Sequence, residues 1–193
     1  KGRGDYHVES GRKRIIDSKT DIKIMKKLLT PLLMCLCFLT GCKAQSKVDN
    51  SVSGDLNLEK YLGDWYEIAR FDHKFERGIQ FCKANYSLRE DGKVAVLNTG
   101  IKNGKSSEAN GKAKFTDNPR ILRVSFFGPF YGDYRIMLLD NDYQWVLVGG
   151  SDESYLWILS RTPKLTDEVK GTILAEATRR GYDVQKLIWV EQE

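Results

Sequence analysis

Few side chains in this chain combine a reactive type with a useful spacing. Asp72-His73 is on paper a fragment of a catalytic dyad, but there is no G-x-S-x-G and no H-E-x-x-H to complete a hydrolytic site. Beyond residue 55 there is one cysteine, Cys82, so no paired thiols exist for redox work or zinc. The two histidines, His7 and His73, lie far apart and supply no metal-ligand cluster, and haem would find an axial ligand only in His73. The expectation is no enzyme, no metal and no cofactor. Cys82 reads as a small buried hydrophobe. The alternative, a reactive thiolate, would need a base, and none is evident beside it.

The remaining chemistry is at Cys42. The first Met is Met25, followed by Lys26 and Lys27 and an apolar stretch of 12 residues, Leu28 to Leu39. That is short for a membrane-spanning helix, which needs about 20 apolar residues, and fits the h-region of a secretory signal. It ends in Leu39-Thr40-Gly41-Cys42, which resembles a bacterial lipobox with Cys42 as the acylated residue. Residues 25–41 are therefore expected to be a lipoprotein signal peptide. Residues 1–24 would be a mis-annotated upstream extension, and residues 42–55, polar and rich in Ser and Asn, a flexible tether.

The net charge of +5 follows the same division. Residues 1–42 hold 9 Lys and Arg against 4 Asp and Glu, whereas residues 43–193 hold 22 of each. No basic excess is left to attract nucleic acid.

Residues 56–193 must supply the scaffold, and they read as one all-β domain. Eight strands are expected, at 65–71, 82–89, 94–99, 107–115, 121–127, 134–139, 143–148 and 155–160. Asp91-Gly92, Asn103-Gly104, Asn118-Pro119 and Gly128-Pro129 are turn signals between them. Short connections favour an antiparallel meander. An eight-stranded meander leaves two raw edges unless it closes into an up-and-down barrel, which has room for one small ligand. The longest connection, 72–80, is a candidate lid. Residues 166–184 then predict one amphipathic helix, with Thr166 as N-cap, a stripe of Val169, Ile173, Leu174 and Ala177, and Gly181 beyond its end. Residues 184–190 predict a last strand.

At this point the residues resemble a family. Gly63-Asp64-Trp65 is similar to the G-x-W that opens the first strand of lipocalins. "DNDYQWVLV" (140–148) and "LSRTP" (159–163) resemble the family's second and third elements. "YLGDWYEIARFDHKFERG", "VSFFGPFYGDY" and "GYDVQKLIWV" are similar to the bacterial outer-membrane lipoproteins of that family and to apolipoprotein D. The resemblance implies a closed end in which Arg161 packs across Trp65, with Gly63 letting the chain pass beneath. It implies a cavity for a fatty acid or lysophospholipid, a lipidated Cys42 at the outer membrane facing the periplasm, and in some members a homodimer.

Alternation from Trp65 would turn Glu67, Ala69 and Phe71 inward, and alternation from Arg161 would turn Tyr155, Trp157 and Leu159 inward. Phe75 and Glu76 lie in the lid, and Phe126, Phe127, Phe130 and Tyr131 lie in and after the fifth strand. The candidate ligand-binding residues are Glu67, Phe71, Phe75, Glu76, Phe126, Tyr131 and Trp157. Arg70, Lys74, Arg77, Tyr131 and Arg135 are candidates to meet a head group. The alternative is a barrel filled by these aromatics, in an envelope lipoprotein that acts through a protein partner.

Overall fold

The computed structural model describes residues 47–192. The upstream extension, the signal segment and Cys42 lie outside the described residues. Among the described residues the first element is a one-turn helix, α1 (Leu58–Tyr61), capped by the side chain of Asn57, which accepts from the Lys60 amide. Four residues are too few to show a helical period, and the sequence reading missed it.

Eight strands follow: β1 (Gly63–Arg70), β2 (Ile79–Leu88), β3 (Val94–Lys102), β4 (Lys105–Phe115), β5 (Ile121–Ser125), β6 (Gly132–Leu139), β7 (Trp145–Gly149) and β8 (Leu156–Ser160). Each pairs antiparallel with the next. β1 also pairs with β8, from Tyr66 opposite Ser160 to Arg70 opposite Trp157, which closes the barrel. The expected fold class holds, with strand ends shifted by a few residues. β5 stops at Ser125 rather than Phe127. A Cβ at Gly111 of the neighbouring β4 would sit 2.8 Å from the Phe126 ring, so the missing side chain makes the place into which Phe126 turns.

β1 breaks the simple alternation. Its register against β8 shifts between Glu67 and Ala69, the mark of a bulge. Trp65 is in the barrel core, but Ala69 and Phe71 belong to a second apolar cluster on the outer wall. Phe71 therefore faces Tyr182, ring centroids 6.2 Å apart, and not the interior. This corrects the inward assignment of Ala69 and Phe71.

The outer cluster is built by the helix α2 (Asp167–Arg179), whose N-cap Thr166 accepts from the Val169 amide. Ile173 and Ala177 of its stripe are fully buried against the wall. After a 3-10 turn at Val184–Lys186, the two-residue strand β9 (Ile188–Trp189) pairs with Ala69 and Arg70 of β1, where β2 has diverged.

The segment expected to be a loose tether is docked from Lys47 onward. Val48 is buried in the outer cluster. The Asp49 amide donates to the Arg180 carbonyl (2.8 Å), and Arg180 Nη1 donates to the carbonyls of Asp49 and Ser51 at 3.0 and 2.8 Å. Asn50 Nδ2 donates to the carbonyls of Gly150 and Ser151. The composition is that of a linker, but one buried arginine and one apolar side chain turn it into a strap.

Candidate functional site

One end of the barrel is sealed. Trp65 is fully buried, and its Nε1 donates to the Tyr61 carbonyl at 2.8 Å, seating α1 under the barrel. The Arg161 guanidinium lies 3.8 Å from the centre of the Trp65 ring, as the opening motif implied. Arg161 also donates to the carbonyls of Asp64, Lys60 and Leu62 at 2.6, 2.7 and 2.9 Å. The Lys60 and Leu62 carbonyls belong to the end of α1 and that of Asp64 to the start of β1, so one side chain satisfies a helix end that would otherwise go unpaired and ties it to the strand. Gly63 takes φ of +90°, a conformation that strains residues with a Cβ.

Above this floor is a cavity of about 400 Å³, within the range of small-molecule sites. The interior is not filled by its aromatics. Of the seven ligand-site expectations, Glu67, Phe75, Glu76, Phe126 and Trp157 line this one space. Phe71 does not, because of the β1 bulge. Tyr131 does not either: its ring lies under Lys114 Nζ at 4.6 Å. Phe127 and Phe130 are 77% exposed each, because the chain leaves β5 before reaching them. Ala84, Val96, Val124 and Leu159 supply the apolar wall.

Sequence reasoning missed the lower polar part of the cavity. Tyr134 OH lies 2.7 Å from Tyr61 OH and 3.1 Å from Tyr86 OH, and Tyr86 and Tyr134 line the space. Burial pushes the Tyr86 hydroxyl up to about 12, and Tyr61 and Tyr134 also well above the usual tyrosine range. All three stay protonated and use one another as partners. Counting alternation from Trp65 across the β1–β2 register, which sets Trp65 opposite Ala84, would have found Tyr86.

The loop 71–78 covers part of the opening and is pinned from inside. Arg70, 2% exposed, donates through Nη2 to the carbonyls of Glu76 and Ile79, both at 2.9 Å, and pairs through Nη1 with the Glu67 carboxylate. Arg70 is thus a structural tie and not a free head-group donor. Arg77 pairs with Asp72, and Arg135 with Asp133. His73 is stacked between Tyr155 and Phe75 at 4.8 and 5.3 Å, with Trp157 at 4.9 Å.

Two glutamates here meet the Arg70 guanidinium in different ways. Glu67 holds it side chain to side chain, while Glu76 meets it only through its main-chain carbonyl. The Glu76 carboxyl accepts from Trp157 Nε1 at 3.1 Å. Burial, reinforced by the Glu67 charge, pushes Glu76 up to about 8. A carboxyl raised in this way binds its proton more tightly folded than unfolded, so its contribution is present at low pH and is lost as pH climbs from 4.5 toward 8. Glu76→Gln should therefore raise the unfolding midpoint near pH 8, by roughly 1 kcal/mol or more in stability, and leave it nearly unchanged near pH 4.5. Chemical denaturation at the two pH values checks this, and an equal effect at both would contradict it.

The catalytic fragments do not assemble. Asp72 is taken by Arg77. Burial, then the nearby Arg70 charge, lowers His73 to about 4, so it is a neutral ring at physiological pH. Cys82 is buried, and burial followed by the Glu67 charge pushes its thiol up to about 12. Among the described residues, no group of three or more His, Cys, Asp or Glu is placed to hold a metal ion.

The family model of the lipocalin-like domain matches residues 56–192. The chain is 53% identical over 146 residues to the outer membrane lipoprotein Blc of Escherichia coli (strain K12), covering 74% of this chain and 82% of that protein. It is 42% identical over 167 residues to the Vibrio cholerae protein of the same name, covering 84% and 97%. Among solved structures, apocrustacyanin C1 superposes with a TM-score of 0.61 at 19% identity, over 71% of this chain and 80% of that one.

Proposed function

The chain belongs to the lipocalin family, and on that premise we propose that it is a membrane-anchored carrier that holds one single-chain lipid, a fatty acid or lysophospholipid, in its barrel. The observation that carries this reading is the 400 Å³ cavity, apolar on its walls, sealed by Trp65 and Arg161 and open at the opposite end. Burying 12–15 methylenes at about 0.8 kcal/mol each gives roughly 10–12 kcal/mol. Association costs of about 4–15 kcal/mol oppose it, so micromolar to nanomolar binding with loose selectivity is expected.

The lipid head would sit at the mouth near Phe75, Tyr155 and Asp152, with the tail directed to the tyrosine floor. Glu67, Glu76, Phe126 and Trp157 would line the upper half. The protein is read as a binder and not a catalyst, which the neutral, stacked His73 and the protonated Cys82 support. The names of the relatives, outer membrane lipoproteins, support a lipidated Cys42 at the outer membrane. We place the barrel on the periplasmic side. Several acyl chains hold a protein firmly on a bilayer, where a single chain does so only marginally.

Native mass spectrometry of the protein purified from membranes tests the carrier reading. Wild type should retain lipid or take up added lysolipid. Ala84→Phe puts a ring into the cavity wall and should lower lysolipid affinity at least about tenfold, or about 1.4 kcal/mol, in a protein that remains folded by circular dichroism. Equal uptake by both proteins would sink the proposal.

A further inference from the structure

The open end carries a second feature that the cavity does not explain. Phe127 and Phe130, in the β5–β6 loop, are each 77% exposed, and Phe75, on the β1–β2 loop, is 55% exposed. Strand directions put both loops at the mouth, together with the β3–β4 turn and the β7–β8 loop. The barrel order sets these two loops across the mouth from each other, and large rings held out in water on both sides of one opening mark a rim that is covered by something. The sealed end also has exposed apolar residues, Leu88 and Phe115, but they stand singly at strand ends.

The strap says what covers the rim. Its first described residue, Lys47, lies 3.9 Å from Glu153, and Asn50 is bonded to Gly150 and Ser151, all three on the β7–β8 side of the mouth. From there the strap runs down the wall to Asp55, whose carbonyl accepts from Arg120 near the sealed end. The chain therefore enters the domain at its open end. Residues 43–46 separate Cys42 from Lys47, and at about 3.6 Å per residue they allow no more than about 18 Å between them.

We propose that the rim formed by Phe75, Phe127 and Phe130 docks on the bilayer, so that the anchored protein stands mouth-down and lipid passes between membrane and cavity without crossing water. This rests on the acylation of Cys42 proposed above. The charges around the rings suit a head-group layer. Lys74, Lys102 and Lys105 are exposed on the same loops. Asp72 is paired with Arg77, Asp133 with Arg123 and Arg135, and Glu153 faces Lys47. A buried lipid would reach the mouth facing its source, and the short linker would keep it there.

The test uses the lipidated protein isolated from membranes and reconstituted in phosphatidylethanolamine–phosphatidylglycerol vesicles. A nitrobenzoxadiazole label is placed on Phe127→Cys at the rim or on Glu90→Cys at the sealed end; the buried Cys82 is protected in the folded protein. The rim label should be blue-shifted and quenched by spin-labelled lipid, and the Glu90 label should report water. The double variant Phe127→Ser/Phe130→Ser should still float with vesicles but load lysolipid from them about tenfold more slowly, the factor of about 1.4 kcal/mol. Flotation with both labels in water overturns the docking and leaves the anchor intact. Loss of flotation in wild type overturns the anchor and the orientation with it. A rim label shielded without lipid quenching, in a dimer that the double variant dissociates, assigns the rim to a second copy and overturns the proposal.

Discussion

Replacing Trp65 by Ala should destabilise the domain by about 3–5 kcal/mol, a large share of the 5–15 kcal/mol that holds a typical domain together. The ring is fully buried, so its loss opens a void at the barrel floor. The Tyr61 carbonyl loses the indole N–H that it accepts at 2.8 Å, and Arg161 loses the face it covers. Trp65→Phe separates these effects. It keeps most of the packing and should cost clearly less, the hydrogen bond itself contributing about 1 kcal/mol. Denaturant unfolding measures both variants. Because the floor is structural, lysolipid selectivity should be unchanged in whatever fraction of Trp65→Ala stays folded. An unchanged midpoint would show that Trp65 does not hold the floor.

The second large effect is expected at Arg70. Arg70→Met leaves the Glu67 carboxylate in a dry site with no partner, and removing one side of a buried ion pair costs about 3–5 kcal/mol. It also frees the carbonyls of Glu76 and Ile79, so the loop 71–78 loses its tie to the wall. Glu67→Gln in the same chain removes the orphaned charge. If the cost is that charge, the double variant should recover most of the lost stability, yet the loop should remain loose, seen as faster amide exchange at 73–78. A single variant as stable as wild type would mean that the pair contributes nothing.

How much of this was legible in the sequence varies with the range of the interaction concerned. Strands and the long helix are written in local periodicity and turn chemistry, and the Trp65–Arg161 pairing followed from motif resemblance. The errors lie where tertiary contacts override the pattern. A bulge at Glu67–Ala69 leaves no mark in residue types, and it moves Phe71 from cavity to wall. Phe126 and Phe127 look alike in sequence, but only Phe126 finds the space that Gly111 leaves open. Residues 47–55 have a linker's composition, and distant partners, Arg180 and the carbonyls of Gly150 and Ser151 among them, make them a strap. Five of the seven expected cavity residues nonetheless meet in one space, because inward phase on β8 and proximity of the lid to the mouth survive these local irregularities.

A lipid carried as proposed lies inside the barrel with its tail toward the Trp65 floor. Photolabelling with a lysophospholipid that carries a diazirine at the end of its acyl chain, followed by peptide mapping, tests this most directly. Adducts are expected on β2 and β6, at Tyr86 and Tyr134, and should be lost in Ala84→Phe. Adducts confined to the outer surface, at Ile188 and Trp189 for example, and indifferent to Ala84→Phe, would contradict it.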